Sequence, residues 1–298
     1  MKKYSFYIAG GDMRFVYLAN SLAAEGYTVT AFALSGAEGL SGDVIVSGDS
    51  SEAAFSDVAS ALTVLPLPCG NKAGNLNAPF DGCETPLLQL ASQLEHGSVL
   101  MGGMIPPEVK NAVLKRGVSV YDYFDREEFA VRNASLTAEA AVALALEAVN
   151  ESINKMPVLI LGHGRIGRLL GGMLKALDAD VTIAARRYSD LAWIRSEGNR
   201  PIEFSRLDGE IGRFKVILST VPAPVLSKER LVLVDKNAVL IDLASMPGSI
   251  DFEAAESLGI RAERALGLPG RFAPKTAGEI VKETVLNILS EREEDDCG

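Results

Sequence analysis

PVLILGHGRIGRLLGGMLKAL, residues 157–177, decides how the rest of the chain is read. Val158–Leu161 is an unbroken apolar run, the composition of a strand buried on both faces of a parallel sheet. Gly162, Gly164 and Gly167 follow in G-x-G-x-x-G spacing. Ile166, Leu169, Leu170, Met173, Leu174 and Leu177 then recur at helical spacing, which predicts a helix with one buried stripe. Strand, glycine turn and helix in that order separate a dinucleotide-binding turn from a chance run of glycines. Gly162 permits the tight turn, Gly164 lets the backbone approach a pyrophosphate, and Gly167 lets the helix pack on the strand. His163, Arg165 and Ile166 complete the segment, whose free N–H groups at the helix start face the phosphates. The alternative is a glycine turn kept for packing alone.

The next strand, near Val181–Ala184, selects the nucleotide. An NAD site carries Asp or Glu about 20 residues on, bonded to the ribose 2′-hydroxyl. Here the sequence reads Ala184, Ala185, Arg186, Arg187. Guanidinium groups hold a 2′-phosphate that a carboxylate would repel. Arg186 and Arg187 therefore point to NADP(H), unless both are merely solvated surface charges. Ligands of open α/β sheets bind outside the carboxyl ends of the strands, so two further strand ends join the expected site. Val216–Ser219 leads into Thr220, Val221 and Pro222, and Val239–Asp242 leads toward Ala244 and Ser245. Asp242 is either a functional acid or an acceptor that orients its loop.

Outward from this core, apolar strands alternate with helical patterns along almost the whole chain. Strands are expected at Ser5–Ala9, Thr28–Ala33, Leu62–Leu65, Val99–Met101, Val118–Tyr121 and Arg261–Ala265, and a helix at Met13–Ala24. The alternation predicts an α/β protein with doubly wound parallel sheets, Rossmann-like in both halves, and 298 residues suit two domains. Ser135 and Thr137 as N-caps, with Glu139 in the first turn, place a long buried helix at Thr137–Asn154, joining the domains. A last helix is expected at Lys275–Ser290, with the acidic tail EREEDDCG frayed. Leu65–Pro86, rich in Pro, Gly and Asn, is long for a connection and reads as functional or mobile.

A net charge of -10 excludes a general nucleic-acid binder. No run of about 18 apolar residues predicts a membrane span, and the opening MKKYSFYIAGGD reads as a strand rather than a signal peptide. Cys69, Cys83 and Cys297 lack metal-ligand spacing and the chain has only two histidines, so no metal is expected. An odd cysteine count without an export signal suggests a reducing cytoplasm.

With GHGRIG at 162–167, LIDLASMPGSIDF at 240–252, ALGLPGRFAPKTAGEI at 265–280 and IAGGDMR at 8–14, the chain resembles the dipicolinate synthase A-subunit family over nearly its full length. More distantly it is similar to D-2-hydroxyacid dehydrogenases, alanine dehydrogenase and adenosylhomocysteine hydrolase. The resemblance implies oxidation of dihydrodipicolinate, or its hydrated tetrahydrodipicolinate precursor, to dipicolinate, with NADP⁺ taking the hydride. It implies a partner, the flavoprotein-like B-subunit of dipicolinate synthase, an oligomer, and a cytoplasmic location in the mother cell of a sporulating bacterium. It implies a layout as well: an N-terminal substrate domain over 1–133 with the C-terminal helix, 273–298, packing back on it, an NADP-binding domain over 134–272, and an interdomain cleft.

A pyridine dicarboxylate needs cations, hydroxyls or N–H groups for its two charges. Gly11 and Arg14 follow the first strand, where Gly10 and Gly11 form a turn suited to an anion. Asn71 and Lys72 lie in the long loop, Asn133 precedes the linking helix, and Arg271, Lys275 and Thr276 lead into the last helix. Lys275 and Asp12 are the candidates for proton transfer. The His–acid pair of 2-hydroxyacid dehydrogenases is not apparent: His163 lies inside the glycine turn and His96 at a helix end. Its absence keeps open a non-catalytic nucleotide-binding or scaffold protein within the same complex, or a 2-hydroxyacid or amino-acid dehydrogenase.

Overall fold

A computed structural model describes residues 4–47, 62–82 and 84–297, so Cys83 and, with it, the side chain of Cys297 lie outside the described residues. The chain divides into two compact units, Met1–Arg132 with Ala273–Gly298, and Asn133–Phe272.

In the first unit, β1 (Ser5–Ala9), β2 (Thr28–Phe32), β3 (Ile45–Val46), β4 (Leu62–Val64), β5 (Val99–Gly102) and β6 (Ser119–Asp122) form one parallel sheet in the order β3-β2-β1-β4-β5-β6. Helices α1 (Met13–Ala24), α2 (Leu87–Ser92) and α3 (Pro107–Leu114) make crossovers, and α4 (Glu127–Ala148) carries the chain into the second unit. There β7 (Pro157–Leu161), β8 (Asp180–Ala185), β9 (Arg200–Glu203), β10 (Val216–Ser219), β11 (Val239–Asp242) and β12 (Arg261–Arg264) pair in the order β12-β11-β10-β7-β8-β9. Between them lie α5 (Arg165–Ala176), α6 (Tyr188–Ser196), α7 (Lys228–Leu231) and α8 (Phe252–Leu258), and α9 (Leu268–Phe272) and α10 (Pro274–Cys297) complete the chain. Both sheets thus have the doubly wound Rossmann order, and each has a switch point beside its first strand: β1 against β4, and β7 against β10.

The apolar run of β7 serves two cores at once, because alternate residues of a strand face opposite ways. Val158 and Ile160 join Leu170 and Leu174 of α5, whereas Leu159 and Leu161 join Phe214, Leu231 and Leu240. Each such side chain is fully buried and contributes about 1.5–3 kcal/mol. The predicted α5 stripe holds up to its last residue. Leu170 and Leu174 are fully buried beside Gly167 and Gly171, Ile166, Leu169 and Met173 pack half-buried on the same core, and Leu177 caps the helix and is exposed.

Several local expectations are corrected. The linking helix begins at Glu127, ten residues before the expected start, and ends at Ala148. Glu127 and Glu128 suit the positive end of the helix. Thr137 is no cap: its hydroxyl donates back to the Asn133 carbonyl at 2.9 Å, within the helix. Asn133, Ser135 and Thr137 therefore lie inside α4. The edge strand β9 is not visible in RPIE, because Pro201 is tolerated only where one side of the strand stays unpaired.

The acidic tail continues α10 rather than fraying. Glu291 takes a two-pronged bond from Arg126, at 2.7 and 2.5 Å, and Tyr4 bonds to Glu293. The described residues of the long loop are tied together by backbone hydrogen bonds. Within it, Leu76 N–H donates to Thr85 O, Asn77 N–H to Cys69 O and Leu87 N–H to Gly74 O. α4 is the one helix among the described residues long and apolar enough to cross a membrane, and half of its apolar window is buried in the fold.

Candidate functional site

The glycine turn of the second unit lies at the switch point. Gly162 has φ +97°, donates its N–H to Ala184 O, and would place a Cβ 2.6 Å from Thr220 Oγ1 at the end of β10. A Cβ on Gly167 would lie well inside contact with the Gly162 carbonyl. Neither position admits a side chain. Gly164 differs: it is the N-cap of α5, no side chain caps the helix, and a Cβ there would meet nothing within 4 Å. The protein gives no steric reason for that middle glycine. An anion resting on the N-terminal amides of α5 would give one, so the turn fits a dinucleotide.

The ring of His163 is buried, with its side chain 2% exposed, and its Nε2 lies 2.9 Å from Glu197 Oε2. The other oxygen of Glu197 accepts from Arg168 Nε and Nη2 at 3.0 and 2.8 Å. Partial burial pushes the Glu197 carboxyl up, but the bonds from His163 and Arg168 outweigh it and hold the group below the ordinary carboxylate value. The exposed part of His163 is therefore its backbone. Ile166 is partly buried against the core, and Arg165 opens α5. At the end of β8, Arg186 and Arg187 are exposed and neither forms an ion pair among the described residues. The Arg186 guanidinium lies 5.7 Å from the centre of the Phe204 ring.

The other two strand ends are shaped by hydrogen bonds. Thr220 Oγ1 donates to Leu161 O at 3.0 Å, tying its loop, with Val221 and the exposed Pro222, to the end of β7. Asp242 is fully buried, and its carboxylate accepts from Ala244 N–H at 3.1 Å and Ser249 N–H at 2.8 Å. Ser249 Oγ meets Ser219 Oγ at 2.5 Å. Asp242 thus orients the loop holding Ala244 and Ser245. Sequence reasoning misses Glu197, Ser219 and Ser249, since no spacing announces a partner brought in from a distant segment.

In the first unit, Gly10 and Gly11 have φ +68° and +106°. The turn is closed by the protein itself. Gly11 N–H donates to Asn77 O at 2.8 Å, and a Cβ on Gly10 would strike Asn77 O and Leu76. Asp12 caps α1 and holds Arg14 through Nε at 2.8 Å and Nη2 at 2.9 Å, while Nη2 also donates to Leu67 O at 2.6 Å. Asn71 Oδ1 is taken by Ala73 N–H and Asn75 N–H, whereas Lys72 is exposed. Gly278 of α10 abuts the Arg14 carbonyl, and Lys282 Nζ donates to Ser21 Oγ and Glu25, so α10 runs parallel to α1. Lys275 and Thr276, both exposed, therefore start beside the first turn of α1. Gly11, Asp12, Arg14 and the start of α10 come together; Asn133, in α4, and Arg271, in α9, belong to the second unit.

A separate cleft of about 360 Å³ opens at the amino ends of β10, β11 and β12. Two of its cations answer the fold itself: Arg261 donates to Ala148 O at the C-terminus of α4, and Lys215 pairs with Asp235.

Residues 5–124 match the profile of the N-terminal domain of the dipicolinate synthase A-subunit. The dipicolinate synthase A-subunit of Bacillus subtilis (strain 168) is 30% identical over 230 residues, 76% of this chain and 77% of that protein. The crystal structure of the same subunit from Bacillus subtilis superposes with a TM-score of 0.86 at 25% identity, covering 99% of this chain and 98% of that one. The crystal structure of the A-subunit from Bacillus halodurans gives 0.85 at 27%, covering 96% and 98%. The fold alone is shared with L-alanine dehydrogenase, at a TM-score of 0.64 and 12% identity over 95% of this chain and 88% of that one. On this likeness, and with a glycine turn built as a dehydrogenase-like fold requires, the chain belongs to the dipicolinate synthase A-subunit family.

Proposed function

We propose that this chain is the NADP-dependent oxidoreductase component that forms dipicolinate from dihydrodipicolinate, or its hydrated tetrahydrodipicolinate precursor, in the mother-cell cytoplasm during sporulation, together with the B-subunit of dipicolinate synthase. The observation that carries the reading is the glycine turn, where the packing of the fold requires Gly162 and Gly167 to lack a side chain but leaves the space over Gly164 open to a ligand. The amides at the start of α5 hold the pyrophosphate, and Arg186 and Arg187 hold the 2′-phosphate. Thr220, Val221 and Pro222, with Ala244 and Ser245, border the nicotinamide half, the second loop held by Asp242. NADP⁺, when bound, supplies the hydride acceptor.

Lys275, Thr276 and Lys72, which are exposed cations and a hydroxyl of the first unit, receive the substrate carboxylates. Of the two candidates for proton transfer, Lys275 keeps that role, because Asp12 is engaged in orienting Arg14. The single His–carboxylate pair among the described residues, His163 with Glu197, ties the glycine turn and offers no base, which counts against a 2-hydroxyacid dehydrogenase.

The test is titration of the purified chain with NADPH and NADH, followed by nicotinamide fluorescence and repeated with Arg186→Ala. NADPH should bind well above NADH, with the preference lost in the variant. Binding of neither would overturn the reading and bring forward a scaffold role. With NADPH bound, turnover in the presence of the B-subunit is the next measurement.

A further inference from the structure

Resting on the nucleotide reading above, we infer that Glu197 is a positioning residue: it clamps the phosphate-binding turn from both sides and so sets affinity for the pyrophosphate half of the nucleotide. The segment that would face the phosphates runs from Gly164 to Gly167. His163 immediately precedes it and Arg168 immediately follows it. Both side chains end on the one carboxylate of Glu197, His163 on Oε2 and Arg168 on Oε1. Glu197 is itself fixed. It is the C-cap of α6, its N–H donates to Trp193 O, and its carbonyl accepts from Lys175 Nζ of α5 at 2.9 Å. Arg168 is further held over the Trp193 ring at 5.4 Å.

A turn that binds a dianionic pyrophosphate through backbone N–H groups gains from being held before the ligand arrives, because ordering it afterwards costs affinity. Here the holding groups reach the turn from outside it. They also reach it from α6, the helix that follows Arg186 and Arg187. One short helix therefore carries the 2′-phosphate contacts at its start and the clamp at its end. A carboxylate is the group that suits the clamp, since it accepts from both donors at once; a carboxamide has a single acceptor oxygen.

The experiment measures NADPH and adenosine 2′-monophosphate binding to wild type, Glu197→Ala and Glu197→Gln. The monophosphate has the 2′-phosphate and no pyrophosphate. NADPH should bind about tenfold more weakly to Glu197→Ala and about threefold more weakly to Glu197→Gln, consistent with the loss of two and of one charge-assisted contact. Adenosine 2′-monophosphate affinity should stay within about twofold of wild type in both. A parallel loss for both ligands, or an NADPH affinity unchanged in the folded variants, overturns the inference. If Glu197→Ala does not fold, the near-isosteric Glu197→Gln decides by the same two ratios. Wild-type protein that binds neither ligand overturns the nucleotide reading, and the clamp falls with it.

Discussion

Replacing Gly164 by alanine separates a glycine kept for the fold from one kept for a ligand. Gly164 has φ -79°, a conformation open to alanine, and its added Cβ meets no atom within 4 Å. Restricting the unfolded chain favours alanine by about 0.4–1 kcal/mol. The weaker N-cap preference of alanine takes back a similar few tenths to about 1 kcal/mol. Stability should therefore move by no more than about 0.5 kcal/mol, or about 2 °C in Tm. Binding is another matter. The methyl group enters the space that a pyrophosphate uses against the backbone, and overfilling a close-packed site costs about 1–3 kcal/mol. At about 1.4 kcal/mol per factor of ten, Kd for NADPH should rise about 5- to 150-fold. Fluorescence titration and a thermal melt on the same preparation read both numbers. An unchanged Kd in a protein with unchanged Tm would refute the placement of the pyrophosphate over this turn. Gly167→Ala is the contrast: its Cβ meets the Gly162 carbonyl, so that variant should lose stability as well as binding.

Asp242→Ala leaves two N–H groups without their charged acceptor in a buried loop, at a cost of about 3 kcal/mol, and should lower Tm by about 6–12 °C; a change under about 2 °C would show the loop to be held otherwise. The Glu197 carboxyl is held below its ordinary value of 4.5, so its contribution to stability is complete above that pH and is lost as pH falls through the depressed value. The difference in urea midpoint between wild type and Glu197→Gln should accordingly be constant near neutrality and shrink below pH 4.5; a difference that grows on acidification contradicts the assignment. Burial, with the Asp122 carboxylate adding to it, pushes the Cys69 thiol up to about 12, so iodoacetamide near pH 8 should label Cys69 only after unfolding, as read by peptide mass mapping. Rapid labelling of the folded protein would show that the thiol is accessible.

What the sequence makes legible is what local chemistry controls. The β7–turn–α5 unit can be read because an apolar run, three glycines and a helical stripe all lie within 21 residues. Two sheets follow from the strand–helix alternation, down to the span of β10 and β11. The start of α4 misleads because Ser135 and Thr137 have the chemistry of caps, whereas Thr137 spends its hydroxyl on the preceding helical turn. The end of α10 misleads because its acidic run looks solvated, and its partners Arg126 and Tyr4 lie far back in the chain. In the candidate site the same division holds. The glycine turn and the arginine pair are local signals, while Glu197 reaches His163 across 34 residues of sequence. Gly10 and Gly11 read as an open anion site because Asn77, which occupies their turn, lies far along the chain from them.

That occupied turn bears on stoichiometry. Two sheets wound in the same order offer two equivalent crevices, yet in one of them a backbone carbonyl of the chain already sits on the Gly11 amide that an incoming phosphate would need. The first unit thus carries a built-in plug, and under the proposed function the duplicated architecture leaves a single vacancy for a nucleotide. Saturation should count one nucleotide per chain, and the segment to shorten, were a second equivalent wanted, is the one that delivers Leu76 and Asn77 to Gly10 and Gly11.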